Sequence, residues 1–205
     1  VLRSPRIPIR RRPAAGPALP ATLAAVVLFE RLAVPRMRHW GSTPEERTMR
    51  LPGDDLVPEP AIKVDHAVAI EAPADRVWPW LAQIGQDRGG FYSYTWLENL
   101  VGCHMRNADR VHREWQHREI GEPVVLHPRA PGLPVTIFDP PHAIGLEGWG
   151  VFVVESVGAR ASRLIVRGRI PAGLPSLYYR TILEIPHFVM ERAMLLGIKR
   201  RAESA

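Results

Sequence analysis

The last thirty residues constrain this chain more than any others. Residues 176–203 read as one long helix interrupted only at Pro186, carrying Val189, Met190, Ala193, Met194, Leu196 and Ile198. A helix with that apolar content needs another layer to pack on. The preceding residues supply strand-like stretches at about 122–128, 133–138, 143–149, 150–157 and 162–170, several of them separated by Gly and Pro, as in an antiparallel meander. In the last stretch Leu164, Val166 and Ile170 alternate with Arg163, Arg167 and Arg169, which assigns the arginines to the outer face.

One more strand lies upstream, at Val64–Glu71, where Val64, His66, Val68 and Ile70 share a face by strict alternation. Pro73 and Asp75 then open a short helix whose Val77, Trp80, Leu81 and Ile84 follow the i, i+3, i+4, i+7 rule. Pro79 is expected to kink it or hold it to a couple of turns. Gly85, Gly89 and Gly90 predict a mobile loop. Thr95-Trp-Leu-Glu98 has capping-box spacing, so a second short helix is expected from Thr95 to near Gly102, with Glu98 as the cap partner. A long loop, 103–120, follows, and no internal repeat is visible.

Three segments emerge. Residues 1–38 form a basic, proline-rich stretch with a short hydrophobic helix, 39–61 a linker, and 62–205 the domain. The chain is uncharged from Ala14 to Phe29 and almost continuously apolar from Leu19 to Phe29, after which Pro35 is expected to stop any helix. A membrane-spanning helix needs about twenty apolar residues, so three readings compete: a short spanning helix, an interfacial helix and a signal-peptide core. A membrane contact through residues 14–38 of a cytoplasmic protein is the expectation. Residues 41–61, polar with four prolines, have linker composition.

The formal charge of +6 comes largely from Arg3, Arg6, Arg10, Arg11 and Arg12 at one end and Lys199, Arg200 and Arg201 at the other. No zinc-finger spacing, basic recognition helix or RNA-binding aromatic signature accompanies it, so no nucleic-acid partner is expected. The single Cys103 excludes an intrachain disulfide and lacks an activating neighbour. Cys103 and His104 have no second close pair to complete a tetrahedral site, so no metal and no cofactor is expected. Phosphate loops, nucleotide fingerprints and serine elbows are missing too.

Four stretches carry a family resemblance: HWGSTPEE, AIEAPADRVWPWLAQIGQDRGGFYSYTWLENLVGC, NADRVHREWQ and HFVMERAMLLGIKRRAE. Together with the element order they resemble the SRPBCC superfamily of START-like and polyketide cyclase-like proteins, in particular a bacterial branch whose members often begin with a hydrophobic helix. The resemblance implies an α+β helix-grip fold, with a curved antiparallel sheet wrapped around a long C-terminal helix and two short helices after the first strand. It also implies an apolar pocket and attaches no reaction.

In such a fold the inner sheet face and the underside of the helix line a cavity. The candidate ligand-binding residues are His66, Trp80, Tyr92, Tyr94, Trp96, Trp115, His187, Met190 and Met194. A neutral His66 in an apolar cavity would serve as a base or bond a ligand carbonyl; the bland alternative is a bond to backbone. His187 lies one turn before Met190 and Glu191, and water satisfies it equally well. The methionines suit an adaptable apolar site but are as readily core. Tyr94 and Trp115 would form a lid, while Asn107 and Asp109 would hold loop turns. Three functions remain: a carrier of a small apolar or lipid-like molecule, a cyclase- or dehydratase-like enzyme using cavity His and acidic residues, and a membrane-associated interaction module with no ligand.

Overall fold

The computed structural model describes residues 18–204, so the basic stretch 1–17 lies outside the described residues. The chain divides into two compact units at Arg36/Met37. Helix α1 spans Ala18–Arg38 and runs through Pro35, which was expected to stop it. Proline so near a helix end removes a single backbone bond. Immediately beyond it, the Arg36 guanidinium donates to the Leu32 carbonyl at 2.6 Å. Among the described residues no helix is long and apolar enough to cross a membrane.

After α2 (Pro44–Thr48) come β1 (Ile62–Ile70), α3 (Ala74–Ala82), α4 (Thr95–Leu100), β2 (Pro123–Val124), β3 (Leu133–Asp139), β4 (Ala143–Leu146), β5 (Gly150–Ser156) and β6 (Ser162–Ile170). The six strands form one antiparallel sheet in the order β1-β6-β5-β4-β3-β2. The first strand thus pairs with the last, Ile62 opposite Ile170 and Ile70 opposite Ser162. The C-terminal helical stretch comprises α5 (Leu174–Tyr178), a π turn (Tyr179–Leu183) and α6 (Glu184–Ser204). Pro186 cannot donate to the carbonyl four residues back, and the ladder widens into the π turn just before it.

Between sheet and helix lies the main core. Val68, Ile70, Phe152, Leu164 and Val166 of the sheet meet Trp78, Trp80 and Leu81 of α3 and Met194, Leu195 and Ile198 of α6. Gly197 lets α6 pack directly on the loop after α3, since a Cβ there would collide with the Tyr92 carbonyl. The interior is therefore filled by the protein's own side chains.

The outer face is buried as well. The proline-rich stretch read as a linker packs on it, Met49 and Leu51 covering Ala67, Val151, Val153 and Ile165. Three arginines of β6 hold that stretch down. Arg167, 1% exposed, donates to Asp65 at 2.6 Å, to Asp54 at 2.9 Å and to the Met49 and Glu46 carbonyls. Arg163 pairs with Glu46 at 2.6 Å, and Arg169 reaches Asp54 and the Val57 and Pro58 carbonyls. Glu46 also closes a capping box with Thr43 at the start of α2. A buried guanidinium is tolerable only when its fork is filled, and here it is.

The expected capping box at α4 does not form. Tyr94 is the N-cap with no side-chain bond, while Glu98 turns inward and accepts from Ser93 Oγ at 2.6 Å. Spacing permits a cap, but Ser93 offers the carboxylate a nearer donor.

Arg167→Ala will strip the buried Asp65 of its only close partner, leaving Lys63 at 3.8 Å and His39 at 3.7 Å, and is expected to cost about 3–5 kcal/mol in urea unfolding. Replacing both residues with apolar ones of similar size will recover much of that loss.

Candidate functional site

Helix α6 presents His187 and Glu191 four residues apart, on one face. Strand β1 points His66 at the same spot, and the β4–β5 turn, with Gly148 at positive φ, brings in Trp149. Glu191 is fully buried among them. Its Oε1 accepts from His66 Nδ1 at 2.5 Å, and its Oε2 accepts from Trp149 Nε1 at 2.6 Å and lies 3.2 Å from His187 Nε2. The outer nitrogens are occupied too: His66 Nε2 lies 2.8 Å from the Met37 carbonyl, and His187 Nδ1 lies 3.2 Å from the Tyr179 hydroxyl. Both nitrogens of His66 face acceptor oxygens.

The electrostatics follow from burial against pairing. Burial alone would raise the Glu191 carboxyl, but His187 and His66 outweigh it and hold it well below the usual carboxylate range. Burial would lower His187, yet the Glu191 charge wins and raises it above its ordinary 6.5. Burial, followed by the Glu191 and Glu184 charges, pushes the Tyr179 phenol up. Elsewhere, burial raises both the Glu98 carboxyl and the Cys103 thiol, the latter also feeling Glu98, which is the opposite of an activated nucleophile.

Beside this cluster opens a mostly apolar cleft of ≈ 610 Å³ at the end of the sheet. Leu146, Trp149, Ile170, Pro171, Tyr179 and Leu183 line it, with Leu56 and Val57 across from them and Arg167, Arg169, Asp54 and Glu147 among its polar members. Trp149 and Tyr179 are thus shared: their bodies wall the cleft, and their polar ends engage Glu191 and His187. The cluster itself stands behind that wall. The cleft can take an apolar molecule; the carboxylate, with both oxygens engaged, is not presented to it.

The nine residues singled out from the sequence do not converge on one cavity. His66 and His187 meet at Glu191. Trp80, Tyr92 and Met194 are buried core, and Met190 is half-buried. Tyr92 adopts a positive φ and packs edge-on to Trp80. Tyr94 is 41% and Trp96 68% exposed, whereas Trp115 stacks on His112 at 4.0 Å. None of the nine lines the apolar cleft, and Trp80 alone lines a second one, described below. Asn107 does hold a loop, accepting from Tyr92 N at 2.7 Å and donating to the Ser93 carbonyl. Asp109 is exposed and bonds nothing among the described residues. Sequence reasoning missed Glu191, Trp149 and Tyr179. The i, i+4 spacing of Glu191 from His187 was its available signal; nothing local marks the other two.

Between about pH 4.5 and 6.5 the Glu191–His187 pair contributes fully: Glu191, depressed when folded, loses its contribution only in more acid solution, and His187, elevated when folded, loses its own as pH rises through its folded value. In denaturation across a pH series, the advantage of wild type over His187→Leu is therefore expected to be greatest in that window and to shrink above it. A difference that does not vary with pH would refute the pairing.

No protein-family model and no curated protein matches this chain. A solved structure similar to it is the solution NMR structure of a polyketide cyclase-like protein from Corynebacterium glutamicum, 15% identical, covering 67% of this chain and 89% of that one at a TM-score of 0.35. The strand order β1-β6-β5-β4-β3-β2 and the long C-terminal helix packed against the sheet give this chain the α+β helix-grip fold.

Proposed function

We propose that this protein binds and carries a small, largely apolar molecule in the cleft walled by Trp149 and Tyr179. The observation that supports this is the cleft itself: ≈ 610 Å³, lined mainly by aliphatic and aromatic side chains with a few polar groups among them. That is the size and composition of a small-molecule site. The site lies at the sheet's end, not in the sheet–helix interior, which the protein's own core fills.

A row of exposed apolar side chains continues along the C-terminal helical stretch from the cleft: Leu174, Leu177, Tyr178, Ile182, Ile185 and Val189. Such a row supports the idea that the ligand is exchanged at an apolar surface such as a membrane. An enzyme is the weaker reading. Of the ionisable cluster only Tyr179 lines the cleft, and burial keeps its phenol protonated. A general base needs reach to a bound substrate.

Titration with N-phenyl-1-naphthylamine tests the proposal. Saturable fluorescence enhancement is expected in wild type, weakened about tenfold or more when Leu183→Trp fills the cleft. No uptake by wild type, or equal uptake by the variant, would overturn it, and native mass spectrometry of the gently purified protein would identify the natural occupant's class.

A further inference from the structure

On a different part of the compact unit, the loop Asp109–Val111 faces the last turn of α6 across a second cleft of ≈ 490 Å³ whose lining includes Trp80. Arg110, Arg200 and Arg201 all line it, against one carboxylate, Asp109. Three positive charges and one negative leave +2 in a shallow concavity. Among the described residues none of these four groups makes an ion pair.

Arg201 is fixed in place. Its guanidinium lies 4.6 Å from the Tyr92 ring centroid and 5.8 Å from that of Trp80. Nε donates to the Ala108 carbonyl at 3.0 Å and Nη1 to that of Gly197 at 3.2 Å, leaving Nη2 to spare. Trp80 adds an independent sign of a missing acceptor. It is 4% exposed, and its Nε1 is buried with no hydrogen-bond partner. A buried donor left unmade is costly and uncommon in a folded protein. The Arg110 and Arg200 guanidinium groups have no ion-pair partner, Arg201 keeps one nitrogen to spare, and the lining residue Trp80 carries an unmatched indole N–H. All are short of the same thing, an oxyanion.

We propose that this cleft binds a phosphate group. A phosphate monoester offers two negative charges against the +2 and enough oxygens for several donors at once, and arginine forks match its geometry. A free phosphorylated small molecule and a lipid headgroup present this same chemistry. The site is separate from the apolar cleft and does not depend on how that cleft is used.

The full chain is titrated with inorganic phosphate at constant ionic strength, following the Trp80 indole proton by NMR, with Trp80→Phe to assign it. A saturable shift of that proton is expected, weakened about tenfold or more in the Arg110→Gln/Arg200→Gln double variant. Both side chains are exposed and unpaired, so the variant's melting curve should match wild type. In parallel, sedimentation is measured with phosphatidylcholine vesicles with and without phosphatidic acid. A phosphate response without vesicle binding supports a soluble phosphorylated ligand. Binding that depends on phosphatidic acid and on both arginines supports a headgroup. No response in either arm, or responses unchanged in the double variant, would overturn the proposal.

Discussion

A carboxylate carried into a protein interior must be met there by donors, or it will not stay ionised. Glu191 is met by three, each from a different part of the chain: His66 from the first strand, Trp149 from a hairpin turn and His187 from its own helix. The rest of the structure hangs on that convergence. It fixes the rotation and the depth of α6 against β1. It turns the Trp149 indole so that its nitrogen faces inward and its ring faces the cleft. Through His187 it also steadies Tyr179, the other wall. The apolar cleft is thus shaped by a polar network whose carboxylate it does not touch.

A second set of charges works on the opposite face. Arg163, Arg167 and Arg169 alternate with apolar residues along β6, and each finds carboxylates or carbonyls on the segment that crosses the sheet. The sheet is therefore covered on both sides in different ways, by a helix-built apolar core within and by a short irregular segment clasped by guanidinium groups without. Directional bonds suit that segment, because beyond the short helix α2 it has no regular secondary structure and no continuous apolar face.

Much of the fold was legible because periodicity is local. Alternation located β1 and β6, Gly and Pro marked the turns between strands, the helical spacing of apolar residues found α3, and apolar content located the long C-terminal helix. Local signals failed where a residue had two partners to choose between. Thr95 and Glu98 have capping spacing, but Glu98 was taken by Ser93. Pro35 looked like a stop, yet one missing bond near a helix end was tolerated. Composition marked residues 41–61 as a linker, and the arginines that bind them down lie more than a hundred residues away.

The sequence by itself determined the element order, the two faces of the first and last strands and the likeness to helix-grip proteins, since all of these depend on neighbours within a few positions. Only the tertiary structure decided which side chains meet. His66 and Glu191 are 125 residues apart, and Trp149 and Glu191 are 42 apart. No spacing rule spans such distances. Whether a histidine in an apolar row is a free base or a satisfied partner depends on what the fold sets across from it, and here the fold sets a buried carboxylate.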